Sequence, residues 1–97
     1  MAHHYQVLAK NVVFKNYELD LIAYDLQLKE IVFIEVKTRQ TDLYGHPSRA
    51  VNKLKLRALN RVAKEYLQSK GLRNFYRFDI IAVTQSGIEH FENVTWP

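Results

Sequence analysis

"EIVFIEVKTR", Glu30–Arg39, carries an acid, a lysine and an arginine at alternate positions through one of the most apolar segments of the chain. Its branched residues read as a strand. Charge inside such a segment is costly unless it is paired or holds a ligand. Glu35, Lys37 and Arg39 therefore need a structural account. Just upstream, "YELDLIAYD", Tyr17–Asp25, alternates like a second strand. "LQLK" between the two makes the turn, without the glycine that a two-residue hairpin loop favours.

If the strands pair across that turn with Asp25 facing Glu30, one register runs down the whole hairpin. Asp20 then falls opposite Glu35, and Glu18 opposite Lys37. Directly opposed residues share a face, with Cβ atoms ~4.5–5.5 Å apart. Glu18, Asp20, Glu35 and Lys37 are thus expected on one face, continued by Ile22, Tyr24, Ile31 and Phe33. Leu19, Leu21, Ala23, Val32, Ile34 and Val36 take the other. Both faces are apolar over the middle, so the hairpin is expected inside a sheet with its charges at one end.

The plainer reading of those charges is a solvated face with two cross-strand pairs. Against it stands Asp20 beside Glu35, since like charges side by side are destabilising without a cation between them. Two carboxylates suit a hard divalent cation such as Mg²⁺ or Mn²⁺. Lys37 adds positive charge beside it, so the cluster reads as a metal-and-phosphate site.

Working outward, "YQVLAKNVVF", Tyr5–Phe14, reads as a first strand. Beyond Arg39, "QTDLYGHP" is a loop by its Gly45 and Pro47. Ser48 is a candidate N-cap, and a helix follows to about Lys70, ended by Gly71. Val51, Leu54, Ala58, Leu59, Val62 and Tyr66 recur at three- and four-residue steps and make one buried stripe. "NFYRFDIIAVT" is a fourth strand and "IEHFENV" a short fifth. The order β-β-β-α-β-β predicts an α/β fold, a mixed five-stranded sheet with a long helix packed on it.

The totals agree with one domain over residues 1–97, a length that closes a single modest core. There is no cysteine, which excludes disulfides and thiolate chemistry and suits a reducing compartment. No apolar run approaches the ~20 residues of a membrane span, and the N-terminus lacks a secretory core. A cytoplasmic protein without a membrane partner is expected. The net charge of +4 favours a polyanionic partner through counterion release.

A second basic feature lies on the helix. Arg49, Lys53, Arg57, Arg61 and Lys64 form a stripe at three- and four-residue intervals, either a solvated face or a contact for backbone phosphates. Lys55 shares a side with Val51, Leu59 and Val62. It either snorkels beside the apolar seam toward the site or covers the core. Arg39, Tyr44 and His46 follow the charged strand closely enough to touch a substrate. Asp79, in "RFDII", is expected to be satisfied by an arginine or a backbone amide rather than by metal, and His90 to be structural.

Asp-x14-Glu-x-Lys on adjacent strands resembles the PD-(D/E)XK nuclease superfamily. More closely, "YELDLIAYD", "IVFIEVKTR", "YGHPSRAV" with its basic helix, "RFDIIAV" and "IEHFEN" resemble the YraN-like family of uncharacterised bacterial proteins. The likeness spans Tyr5 to about Asn93. It implies a restriction endonuclease-like fold and a nuclease-like site. Asp20 and Glu35 would be metal ligands with the Val36 carbonyl as a further one, and Lys37 the lysine of the motif. Glu18 corresponds to the acid of the family's "GE-x-D" stretch, with Tyr17 replacing the glycine. It would bind a second metal or its waters, or else pair with Lys37. The family begins with a helix bearing another acid, ahead of the point where this chain starts, so that helix is expected to be missing.

Three functions follow as expectations. One is a Mg²⁺- or Mn²⁺-dependent endonuclease acting on DNA, for which a homodimer is one arrangement that cuts both strands. Another is a nucleic-acid-binding module with a vestigial site. The last is a structural or interaction protein whose acids pair only with neighbouring bases.

Overall fold

The computed structural model of the chain describes residues 4–14, 17–38 and 53–94. Arg39, Tyr44, His46, Ser48 and Arg49 lie outside the described residues, as do the side chains of Lys53 and Lys55. Five strands, β1 (Tyr5–Phe14), β2 (Tyr17–Asp25), β3 (Glu30–Thr38), β4 (Tyr76–Thr84) and β5 (Gly87–Phe91), lie side by side in chain order in one sheet. One helix, α1 (Lys53–Ser69), falls between β3 and β4. The β3–β4 pair is parallel and the other three are antiparallel. The α/β class, the element order and the mixed sheet are as the sequence predicts.

Residues Ile31–Ile34 are all buried, because β3 has a partner on each side and apolar residues on both faces. On the helix side, Leu19, Ile22, Ile31, Phe33, Phe78 and Ile80 pack against Leu59, Val62, Ala63, Tyr66 and Leu67 of α1. Phe33 is the centre, with the rings of Tyr66, Tyr76 and Phe78 at 5.7–5.9 Å. Each such side chain contributes ~1.5–3 kcal/mol by leaving water. The opposite face holds Ala23, Val32, Ile34 and Ile81, with Leu21 and Val36 packed beside them.

The helix stripe runs through Ala63 and Leu67 as well as the predicted Leu59, Val62 and Tyr66, while Ala58 is half-buried. Val51 and the Leu54 side chain lie outside the described residues. Gly71 ends the helix as expected: at φ +66° it lets Leu72 N–H reach Leu67 C=O at 2.9 Å and its own N–H reach Gln68 C=O at 3.1 Å. That is a left-handed cap, which glycine adopts without steric cost. β4 starts at Tyr76, two residues later than predicted, because pairing with β3 begins at Ile31↔Tyr76. β5 stops at Phe91, and Val94 N–H then bonds Phe78 C=O at 2.8 Å, which tucks Val94 into the helix-side core.

The four-residue turn works without glycine. Lys29 takes the left-handed conformation, φ +57°. The Asp25 carboxylate accepts from the N–H groups of Gln27 and Leu28 at 2.9 and 3.0 Å, which fastens the turn from inside. No helix among the described residues is long and apolar enough to cross a membrane.

Candidate functional site

The predicted register holds from Asp25↔Glu30 to Leu21↔Ile34, and the ladder ends there. The expected oppositions Asp20–Glu35 and Glu18–Lys37 are not part of it. Asp20 instead turns its carboxylate edgewise: Oδ2 accepts the Val36 N–H at 2.7 Å, at the place where a β2 carbonyl would continue the ladder. The Ile31 N–H points to β4, where it meets Phe75 C=O, so the even-numbered residues of β3 point toward β2. Both backbone groups of a strand residue point to the same neighbour. The Val36 C=O therefore faces the opening alongside Asp20.

Leu19 corrects the expected division of faces. It joins the helix-side core with Ile22, whereas Leu21 packs on the other face. The strict two-residue alternation breaks between them, and Asp20 is the residue at the break. By the same alternation Glu18, paired with Val13 on β1 and exposed, lies on the face away from Leu19. Glu35 lies on the helix side. It lines a cavity of about 10 Å³ with Leu19, Phe33, Leu59 and Phe78, and its Oε1 is 3.0 Å from Lys37 Nζ. Among the described residues no group of three acidic, histidine or cysteine side chains is placed to hold a metal ion. The structure thus brings Asp20 to the Val36 amide and Lys37 to Glu35 at the same strand end, and places Glu18 against β1.

Of the basic stripe, Arg57, Arg61 and Lys64 are exposed on α1 and, with Asn60, line a shallow concave surface of about 480 Å³. Tyr76 supports it from beneath by donating its hydroxyl to Asn60 Oδ1 at 3.0 Å.

A polar network fills the other face, toward the turn. Arg77 donates to Asp25 (2.9 Å), Glu30 (3.0 Å) and the Tyr5 hydroxyl (2.7 Å). Asp79 accepts the Asn93 N–H at 2.9 Å and is 2.6 Å from His90 Nε2. With Arg77 Nε donating to it at 3.0 Å, Asp79 is satisfied by an arginine and a backbone amide, as expected, and His90 pairs with the same carboxylate. Burial alone would lower the Arg77 guanidinium, but hydrogen bonds to Asp79 and Asp25 hold it above its ordinary value. Burial raises the Tyr5 hydroxyl against the opposing pull of Arg77. Sequence reading missed Tyr5, Asp25, Glu30 and Arg77 as a unit. The available signal was "RFD": an arginine and an aspartate on one face of an otherwise apolar strand.

Fold and site together define an α/β protein in which the β2–β3 ladder ends at Leu21↔Ile34, with Asp20 bonded to the Val36 amide and Glu35 paired with Lys37 beyond that end. Residues 1–83 match the uncharacterised protein family UPF0102, and the chain belongs to that family. It is 40% identical over 96 residues to a UPF0102 protein of Geobacter metallireducens, spanning 94% of this chain and 77% of the relative. A UPF0102 protein of Alkaliphilus metalliredigens is 44% identical over 80 residues, 81% of this chain and 68% of the relative. One of Fusobacterium nucleatum is 34% identical over 93 residues, 95% and 76%. The YraN-like family expected from the sequence is the one found.

Proposed function

We propose that this protein is a metal-dependent nuclease that hydrolyses phosphodiester bonds in DNA, and that its sheet and helix are a restriction endonuclease-like core. The observation that carries the reading is the 2.7 Å hydrogen bond from the Val36 N–H to Asp20 Oδ2. It draws the β2 carboxylate onto the segment of β3 that bears Glu35 and Lys37.

The donor set fits a hard cation: two carboxylates and one carbonyl, all oxygen, with positions left for water. Asp20, Glu35 and the Val36 carbonyl would hold Mg²⁺ or Mn²⁺. Such a cation, when bound, polarises a phosphoryl oxygen and lowers the pKa of a water. The chain's own residues do the rest. The Val36 amide orients Asp20. Lys37, held against Glu35, offsets charge that builds on the phosphate in the transition state. Arg57, Arg61 and Lys64 take backbone phosphates of the duplex, which positions it without reading sequence.

A binding module with a vestigial site is favoured by one observation: among the described residues no group of three acidic, histidine or cysteine side chains is placed to hold a metal ion. One incubation series separates the two readings. Linear, nicked, single-stranded and branched DNA, and structured RNA, are mixed with the protein and Mg²⁺ or Mn²⁺. EDTA and the Glu35→Ala and Lys37→Ala variants serve as controls. Metal-dependent cleavage lost in both variants supports the nuclease. Retained cleavage in both rejects this site, and binding without cleavage in any condition supports the module.

A further inference from the structure

Three non-glycine residues among those described adopt left-handed backbone, and two have a local reason. Lys29 (φ +57°) closes the β2–β3 turn, and Asn93 (φ +53°) delivers its N–H to Asp79 beyond the end of β5. Asn11, φ +50°, sits inside a strand. A left-handed residue there rotates the chain and interrupts the pleat, and asparagine tolerates that conformation better than other residues with a Cβ.

Asn11 lies across from Asp20. The β1–β2 register runs through Lys10↔Leu21 and Val12↔Leu19, and the intervening pair is absent from the ladder. Both strands break alternation at this place. Ala9 and Val12 of β1, and Leu19 and Ile22 of β2, all pack on the helix side, three residues apart where a regular strand requires an even spacing. β1 has a separate irregularity between Val7 and Ala9, which does not explain this one. The two strands rotate in step, with Asn11 and Asp20 as the pivots, and the rotation is what leaves Asp20 pointing edgewise at Val36.

We infer that Asn11 is a positioning residue: its left-handed backbone imposes the rotation of β2 that aims the Asp20 carboxylate at β3. The backbone assignment stands on geometry alone; its consequence for metal binding rests on the proposed function. A β-branched residue resists φ > 0, so Asn11→Val should straighten β1, return Asp20 to the pleat and free the Val36 amide. Asn11→Gly and Asn11→Asp accept the same backbone and should restore wild-type behaviour. Asn11→Ala is the milder disruption if the valine variant does not fold.

The test reads two quantities in folded protein: hydrogen-exchange protection of the Val36 amide, and affinity for Mn²⁺ alone from water-proton relaxation. Expected for Asn11→Val or Asn11→Ala is at least a tenfold loss of both. Asn11→Gly and Asn11→Asp should stay within about twofold of wild type. Asp20→Ala gives the baseline for a lost Val36 bond. Unchanged Val36 protection in both disruptive variants would overturn the inference, and so would equal loss in Asn11→Gly. If wild type binds no Mn²⁺, the metal reading fails while Val36 protection still decides the role of Asn11.

Discussion

Arg77 and Asp79, two positions apart on β4, meet in a two-pronged ion pair, with Nε 3.0 Å from Oδ1 and Nη2 3.2 Å from Oδ2. Residues so spaced on a strand share a face, and the planar guanidinium matches the carboxylate fork. The same arginine also bonds Asp25 and Glu30, so one cation answers three carboxylates. Asp25 and Asp79 are each 1% exposed. Arg77→Met should destabilise the fold by about 3–5 kcal/mol, because it strands buried negative charge. Urea unfolding measures it. Arg77→Lys should recover only part, since an ammonium cannot span these partners.

The pH dependence of stability should be set in part by Asp25. Burial alone would raise its carboxyl, but the Leu28 amide, Arg77 and the Gln27 amide together hold it below the ordinary value. A depressed acid contributes stability that is complete above its unfolded pKa, ~3.9, and is lost as pH falls through the lower folded value. The urea midpoint should therefore fall below about pH 4. Asp25→Asn should start lower and show a shallower decline over that range.

Asp20 should separate stability from activity. Asn at this position keeps an oxygen that can accept the Val36 N–H but removes the negative charge. Asp20→Asn should unfold within about 1 kcal/mol of wild type, whereas Asp20→Ala should lose about 1.5 kcal/mol, the low end for a charged hydrogen bond, because this one is only partly buried. Both should lack metal-dependent cleavage. Thermal unfolding and a DNA cleavage assay, run side by side, check the pair.

Binding of DNA should weaken with salt, and the double variant Arg57→Ala, Arg61→Ala should flatten that dependence. Each phosphate contact removed lowers the log–log slope by about 1. The expected change is 1–2, uniform across DNA sequences. A salt titration by fluorescence anisotropy reads it, and an unchanged slope would remove this face of α1 from the interface.

Much of this was legible in the residues themselves. The branched and aromatic residues of "YQVLAKNVVF" and the alternation of "YELDLIAYD" mark β1 and β2 with the bounds found, and Gly71 marks the end of α1. The break at Asp20 was not legible. Leu19, Leu21, Ile22, Ala23 and Tyr24 are all apolar, so the pattern accepts an unbroken strand or a rotated one equally well. Asn11 carried a weak trace of it, as a polar residue within an apolar strand that tolerates left-handed backbone.

The chain's local chemistry determined which segments are strands, where the helix stops, and that Glu35 and Lys37 sit within a buried strand, because periodicity, branching and glycine act over a few residues. Tertiary structure decided which way Asp20 faces, that Lys37 pairs with Glu35, that Glu18 lies opposite Val13 of β1, and that Arg77 gathers Asp25, Glu30 and Tyr5. Those partners lie as far as 72 residues apart in the chain. Their meeting depends on how the strands twist and pair, which no local window of sequence contains.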